Sequence, residues 1–559
     1  MPRFKIAKPR IATLRRASQI VFLALFVFLL VRTEFGGTIG TGSDIRMRWP
    51  VRLFFELDPL VALSNALATH ALYRGMLWAL LILLPVMILG RFFCGWICPL
   101  GTLHQFFGSL KSEQKRGKQW IDSNRYKPWQ RTKYALLIVG LAAAMCGSGL
   151  MGWLDPFSLL VRSIGLSILP ATNYAANAML TPLEQSPLNV LQLTGKAFHA
   201  VLAATVLNFR QPHFRLGILV GLISLFLLAL NLRVTRFWCR ALCPLGALLG
   251  VASRWSILGL HKDPKSCDNC NRCLLHCQGG DNPIGSQPWH KAECLMCMNC
   301  VDACPHQALE FQFFRKEVEV TGPNLPRRRA LAALAAGVAA VPLLRANTAL
   351  GKSRDERLIR PPGALDETDF LARCIRCGEC MKVCPNNSLQ PAFAEAGLEG
   401  IWTPTLTPRI GYCEPSCVLC SEVCPTGAIW KLTPQEKGWV GGGGQAGGVG
   451  EDKRQPVRLG TAFYDRGRCL PWAMATPCIV CEEWCPVSPK AIYLQEAEVV
   501  DAEGNKKVVQ QPHLDPSRCV GCGACEYACP LQEHPAVYVT SIGESRSASS
   551  QILLIRAKN

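Results

Sequence analysis

"RFFCGWICPLGTLHQ", residues 91–105, closes a long apolar run with two cysteines, and a near copy, "RFWCRALCPLGALLG", occupies residues 236–250. "LDPLVAL" from Leu57 precedes the first copy and "LDPFSLL" from Leu154 the second, so the order LDP, apolar run, CxxxCPLG is written twice. Four stretches, near 17–33, 71–93, 134–152 and 216–235, approach the roughly 20 apolar residues that cross a hydrocarbon core. Arg3, Lys5, Lys8, Arg10, Arg15 and Arg16 precede the first without an acid, and residues 111–133 carry eight basic and two acidic residues, so both flanks are expected to be cytoplasmic. The expected fold is a membrane α-helical four-helix bundle with two CxxxCP repeats, related by a pseudo-twofold axis that gathers Cys94, Cys98, Cys239 and Cys243.

Charge supports a divided chain. The net charge is +20, yet residues 1–350 carry 38 Lys and Arg against 16 Asp and Glu, while 351–559 carry 22 against 24. A basic excess that travels with apolar runs follows the positive-inside rule, and nucleic acid is not an expected partner. The expected domains are a membrane domain over 1–254, a cytoplasmic two-cluster ferredoxin domain over 255–325, a twin-arginine-like signal or fifth membrane helix over 326–350, and a four-cluster ferredoxin domain over 351–559. The run "PRRRALAALAAGVAAVPLLRANTALG" from Pro326 carries Arg327, Arg328 and Arg329 at its start, where a cytoplasmic flank is required. The Gly-rich insert over 438–455 reads as a flexible linker.

The cysteine spacing names the cofactor. Of 29 cysteines, 24 fall into six quartets. Cys267, Cys270, Cys273, Cys277 and Cys294, Cys297, Cys300, Cys304 follow CxxCxxCxxxC, as do Cys374, Cys377, Cys380, Cys384 and Cys519, Cys522, Cys525, Cys529. Cys413, Cys417, Cys420, Cys424 open with CxxxC, and Cys469, Cys478, Cys481, Cys485 with a wider gap. Three thiolates on one tight loop cap three irons of a cube, and the fourth, on the helix that follows, reaches the partner cube. Six [4Fe–4S] clusters are expected, since tetrahedral zinc does not explain a third and fourth cysteine at this spacing six times over. Crossed ligation gives Cys304 to the first cube and Cys277 to the second. In the distal domain, first with fourth and second with third quartet is the preferred pairing and first with second the runner-up.

Cys94, Cys98, Cys239 and Cys243 remain, with Cys146 as a packed small hydrophobe. The four are candidate redox thiols, and three readings stay open: a shared metal or iron–sulfur site, two redox-active dithiols, or sulfur packed at helix ends. Asp58 and Asp155 of the LDP repeats, with His70, His199 and His213, are candidate proton acceptors for which capping or surface roles weigh more. No CxxCH attaches haem, no GxGxxG follows a strand, and no Ser/His/Asp or HExxH constellation occurs.

"CGWICPLG", "CRALCPLG" and the two quartets after them resemble the NapH family of membrane quinol dehydrogenase components, over residues 1–315. The Arg-led run and four quartets over 326–545 resemble the NapG/MauM family of periplasmic ferredoxins. The two resemblances together imply a fusion that takes electrons from quinol and passes them to a periplasmic c-type cytochrome or reductase, such as a nitrate reductase system. They also imply a multi-pass inner-membrane protein in contact with lipid, with its first ferredoxin domain cytoplasmic and its distal one periplasmic. A second class of function consistent with the motifs is an electron-donating maturation or reactivation factor for a periplasmic metalloenzyme. "PRRRALA" departs from the twin-arginine pattern in lacking the usual Ser or Thr and Phe.

Overall fold

A computed structural model describes residues 9–33, 52–109, 118–205, 207, 211–284, 287–314, 325–350, 355–393, 395–439, 456–501 and 503–547. Most of the Gly-rich insert and of the basic loop before 118 lies outside the described residues. The chain divides into two units. One comprises Met1–Leu30, Val51–Ile164 and Ile218–Pro342, the other Val31–Pro50, Gly165–Gly217 and Leu343–Asn559.

The expected membrane four-helix bundle is not formed. Among the described residues only Ile11–Arg32, with 22 residues and mean hydropathy 1.9, is long and apolar enough to cross a membrane. The second expected span breaks into a 3-10 turn, Arg74–Ala79, and a helix Leu80–Leu89 that carries Pro85 and stops at Gly90, whose φ is +83°. The third is the 14-residue helix Thr132–Met145, and the fourth is Gly217–Ala229 followed by a 3-10 turn. At about 1.5 Å per residue, 14 residues cover about 21 Å of a hydrocarbon core of about 30 Å. Apolar composition is sufficient in these stretches and uninterrupted helix is not. The Ala-rich run forms a 24-residue helix, Arg327–Leu350, that does not meet the same test. Gly337 lets it approach the Thr132–Met145 helix, because a Cβ there would meet the Val139 carbonyl and the Ala142 side chain.

In the first unit the repeat survives locally, at helix ends. Asp58 caps the helix Pro59–Thr69 and Asp155 caps Pro156–Ser163, each followed by proline at the first helical position. Each CxxxCPLG motif is a short helix, Phe93–Trp96 or Phe237–Ala241, followed by a second that starts at its proline, Pro99–Ser109 or Pro244–Ala252. The ferredoxin parts follow the α+β expectation. An antiparallel pair, Leu258–Lys262 with Leu309–Phe313, brackets the first two quartets. In the second unit Leu389–Pro391 pairs with Pro404–Leu406 between the next two, and Thr461–Tyr464 with Val537–Thr540 brackets the last two. A longer hairpin, Ile492–Val500 with Lys506–Leu514, separates the last two quartets. The core of the second unit is largely the cysteine loops themselves, joined by Leu166 and Phe214 of the 165–217 segment.

Candidate iron–sulfur sites and the paired thiol motif

The cysteine loops converge through backbone conformation. In four quartets the residues before and after the second cysteine both have positive φ: Asn269 and Asn271, Met296 and Met298, Arg376 and Gly378, Gly521 and Gly523. Two left-handed residues around one cysteine curl the loop so that its three thiols line one cavity, and a short helix then starts, as at Asn299–Ala303 and Ala524–Ala528. Glycine meets this need at Gly378 and Gly523, while Asn271 and Met298 meet it at some strain.

The fourth cysteine crosses over, in three pairs. Cys267, Cys270 and Cys273 line a cavity of about 340 Å³ with Cys304. Cys374, Cys377 and Cys380 line one of about 350 Å³ with Cys424, and Cys519, Cys522 and Cys525 one of about 330 Å³ with Cys485. Cys469, Cys478 and Cys481 share a cavity with Cys529. The two remaining sets interact as groups: Cys277 with Cys294, Cys297 and Cys300, and Cys384 with Cys413, Cys417 and Cys420. The distal pairing is therefore first with second and third with fourth, and the preferred sequence reading is corrected. Nothing in the spacing marks which loops pair, because the choice is made by strands such as Leu389–Pro391 and Pro404–Leu406 that lie between the first two distal quartets.

The cavities suit a cube chemically. Among the described residues no three His, Cys, Asp or Glu side chains close on one point as ligands of a single ion would. Burial pushes the Cys273 thiol up to about 12 and Cys277 to about 11, so bare thiolates are disfavoured and bound iron would supply the compensating charge. Donors to sulfur are in place: the Cys277 sulfur accepts from Asp281 N at 3.4 Å, Cys424 from Ile429 N at 3.4 Å, and Cys413 from Lys437 Nζ at 3.4 Å. Such bonds tune the potential of a cluster. Exposure differs among the sets. Cys270 is exposed, whereas Cys277, Cys294, Cys297 and Cys300 are all buried.

The four CxxxCP thiols are gathered in the first unit. Cys94, Cys98, Cys239 and Cys243 are each less than a tenth exposed, and the charge of each of the other three bears on Cys243. Two buried arginines, each three residues before its own repeat's first cysteine, cross between the repeats. Arg91 donates to Cys94 Sγ at 3.3 Å and to the Cys239 carbonyl at 3.2 Å, and Arg236 donates to the Cys94 carbonyl at 2.7 Å. The glycine of each CPLG makes room for the opposite arginine, since a Cβ on Gly246 would strike the Arg91 guanidinium and one on Gly101 would crowd Arg236. Sequence reasoning missed these arginines, although the repeated RFxC spelling held the signal. Arg15, expected only as a flanking charge, is buried and donates to Gln105 Oε1 and Asn299 Oδ1, both at 3.0 Å.

The first motif rests on the second cysteine loop. Trp96 Nε1 donates to the Met296 carbonyl at 2.9 Å, Arg91 to the Ala292 carbonyl at 3.4 Å, and Gly95 lies against the Leu295 carbonyl. Arg240 of the second motif instead reaches the Asn124 and Arg125 carbonyls and Gln130 Oε1 at 3.0–3.2 Å. The histidines among the expected proton acceptors are engaged locally. His70 ends the Pro59–Thr69 helix, His199 bonds Glu184 at 2.7 Å, and the His213 carbonyl accepts from Asn387 and Gln390. Cys146 is exposed at the end of Thr132–Met145, contrary to the packed role expected of it.

Known families match along the chain. A 4Fe-4S binding domain matches residues 71–119 and 215–261, which hold the two CxxxCP motifs; 4Fe-4S dicluster domains match 260–305 and both 373–428 and 476–532. The methylamine utilization ferredoxin-type protein MauM of Methylorubrum extorquens is 34% identical over 220 residues, 37% of this chain and 87% of that protein. MauM of Paracoccus denitrificans is 34% identical over 40% of this chain and 91% of its own length. The ferredoxin-type protein NapG of Escherichia coli is 32% identical over 32% of this chain and 69% of its own. No solved structure matches.

Proposed function

Because the chain belongs to the family of ferredoxin-type proteins that includes MauM and NapG, we propose that it carries electrons from the quinol pool through [4Fe–4S] clusters to a periplasmic acceptor, a c-type cytochrome or a reductase. The observation that carries this reading is the crossed fourth cysteine, present in at least one cavity of each of the three loop pairs, which would hold cubes in adjacent couples. Each cube supplies reversible one-electron uptake when bound. The residues do the rest: 24 cysteines hold six cubes, backbone N–H groups and Lys437 stabilise the sulfur charge, and the apolar lining excludes water.

Quinol enters the reading through the first half of the chain, whose CxxxCP motifs resemble NapH. Cys94, Cys98, Cys239 and Cys243 are proposed as a shared iron–sulfur site next to the Cys294 loop, supported by the 4Fe-4S binding domain match over both motifs. The Ile11–Arg32 helix, whose Gln19 donates to the Gly95 carbonyl at 2.7 Å, is proposed as the attachment to lipid.

Iron and acid-labile sulfide per chain test the count: six cubes give about 24 irons and a seventh about 28, at four irons per cube. A value near about 6 would return the quartets to single-metal sites. A quinol analogue that leaves the clusters oxidised, where dithionite reduces them, would remove the quinol step alone.

A further inference from the structure

As a helix cap, each LDP aspartate uses one oxygen of its carboxylate. Asp58 Oδ1 accepts from Leu60 N at 2.7 Å, and Asp155 Oδ2 from Ser158 N at 2.7 Å. Both residues are fully buried. Their second oxygens, Asp58 Oδ2 and Asp155 Oδ1, have no other partner, and the two side chains lie within hydrogen-bonding reach of each other. Two carboxylates at that separation repel, and a carboxylic acid and a carboxylate attract. Burial, and then the neighbouring carboxyl, hold Asp58 well above the usual carboxylate range, and burial raises Asp155 while the bond from Asp58 opposes that rise. The pair titrates as one unit.

An aromatic cluster joins the helix that Asp155 caps to the first thiol motif. Phe157, two residues after Asp155, lies in a cluster with Phe26, Phe54, Phe55 and Phe93, and its ring centroid is 6.2 Å from that of Phe93. Phe93 adjoins Cys94. The charged group facing the pair is Arg162, which also donates to the Trp153 carbonyl at 3.0 Å. The other titratable groups on the elements packed around it are engaged elsewhere: Glu56 with Arg52, Lys133 and Tyr134 with Glu293, and His104 with Asn231. Arg74 opens the neighbouring 3-10 turn.

We propose that Asp58 and Asp155 form a single proton-binding site that takes up a proton when the redox centre proposed at the CxxxCP thiols is reduced and releases it on oxidation. It rests on the proposed redox role of the CxxxCP thiols. The balance is one electron from the reductant to the iron–sulfur group that the four CxxxCP thiols would hold, and one proton from water to the ionised carboxylate. The pair then passes from one shared proton to two neutral acids, and charge is compensated inside an apolar shell.

Asp58→Asn and Asp155→Asn test it, because asparagine caps a helix about as well as aspartate and cannot take the proton. In the full-length protein, the infrared spectrum of the wild type minus either variant is expected to show a protonated-carboxyl stretch at neutral pH that shifts in deuterated water. Each single variant is expected to lose the whole band, since the remaining carboxylate accepts from the asparagine amide. Dithionite reduction is expected to increase the band in the wild type and to leave both variants unchanged. Absence of the band from both difference spectra would overturn the shared proton, and a band that ignores reduction would overturn the coupling. If dithionite changes the band and a quinol analogue does not, the quinol reading fails and the proton site stands.

Discussion

The two CxxxCPLG repeats are spelled alike and set in different surroundings. After the first cysteine stands Gly95 in one and Arg240 in the other. Gly95 lies against the Leu295 carbonyl, and Arg240 fills a pocket of three acceptors from Asn124, Arg125 and Gln130. The thiols, the arginines three residues earlier and the CPLG glycines keep the symmetry; the residues between them break it. One repeat is thus a platform against the second ferredoxin loop, and the other braces the loop before Pro128. The symmetry belongs to the thiol site and the asymmetry to what the site must touch.

Exchanging the divergent residues should have the largest effect. Gly95→Arg would drive a side chain into the Leu295 backbone, and a loss above about 4 kcal/mol is expected, read as failure to retain the iron of the Cys294 loop and as a collapsed melting transition. An unchanged melt would mean that the two surroundings are interchangeable. Arg240→Gly is expected to cost about 3 kcal/mol, because it removes the donor to the buried Asn124 carbonyl, to the Arg125 carbonyl and one of the two donors to Gln130 Oε1. Denaturant unfolding of the same protein measures both.

The crossing arginines give a finer comparison. Arg91→Lys should cost about 2 kcal/mol, since one ammonium cannot reproduce a fork that reaches Cys94 Sγ and the Cys239 and Ala292 carbonyls. Arg236→Lys, with two acceptors in the Cys94 carbonyl and Gln105, should cost less, about 1 kcal/mol. The reverse order in thermal melts would place the brace in the second repeat. The smallest effect is a gain: Met298→Gly should stabilise by about 1 kcal/mol, because a side chain at φ +58° is strained where glycine is not. A destabilised variant would show that Met298 acts through packing.

What could be read in advance follows from how far each constraint reaches along the chain. A quartet is legible because its spacing is set by one loop: Cys374, Cys377 and Cys380 meet within a few bonds of each other. The distal pairing is not, because Cys424 and Cys380 are brought together by strands that neither motif contains. The expected bundle fails for a related reason. Hydropathy counts residues, and Pro85, the positive-φ Gly90 and Gly147, and the 3-10 turns at Arg74–Ala79 and Leu150–Trp153 interrupt the helix without lowering the count. The LDP carboxyls were legible as caps, one residue from their helices; their meeting across the repeat was not.

The crossed fourth cysteine also sets a timetable. Under the proposed ligation, a nascent chain that has emerged as far as Cys277 holds only three of the four thiols its first cavity needs, and Cys304 arrives with the following quartet. The same holds for Cys380 awaiting Cys424 and Cys481 awaiting Cys529. Maturation would proceed in couples rather than one centre at a time, and a ribosome stalled between two quartets would leave a half-built loop that an iron-delivery system could recognise as unfinished.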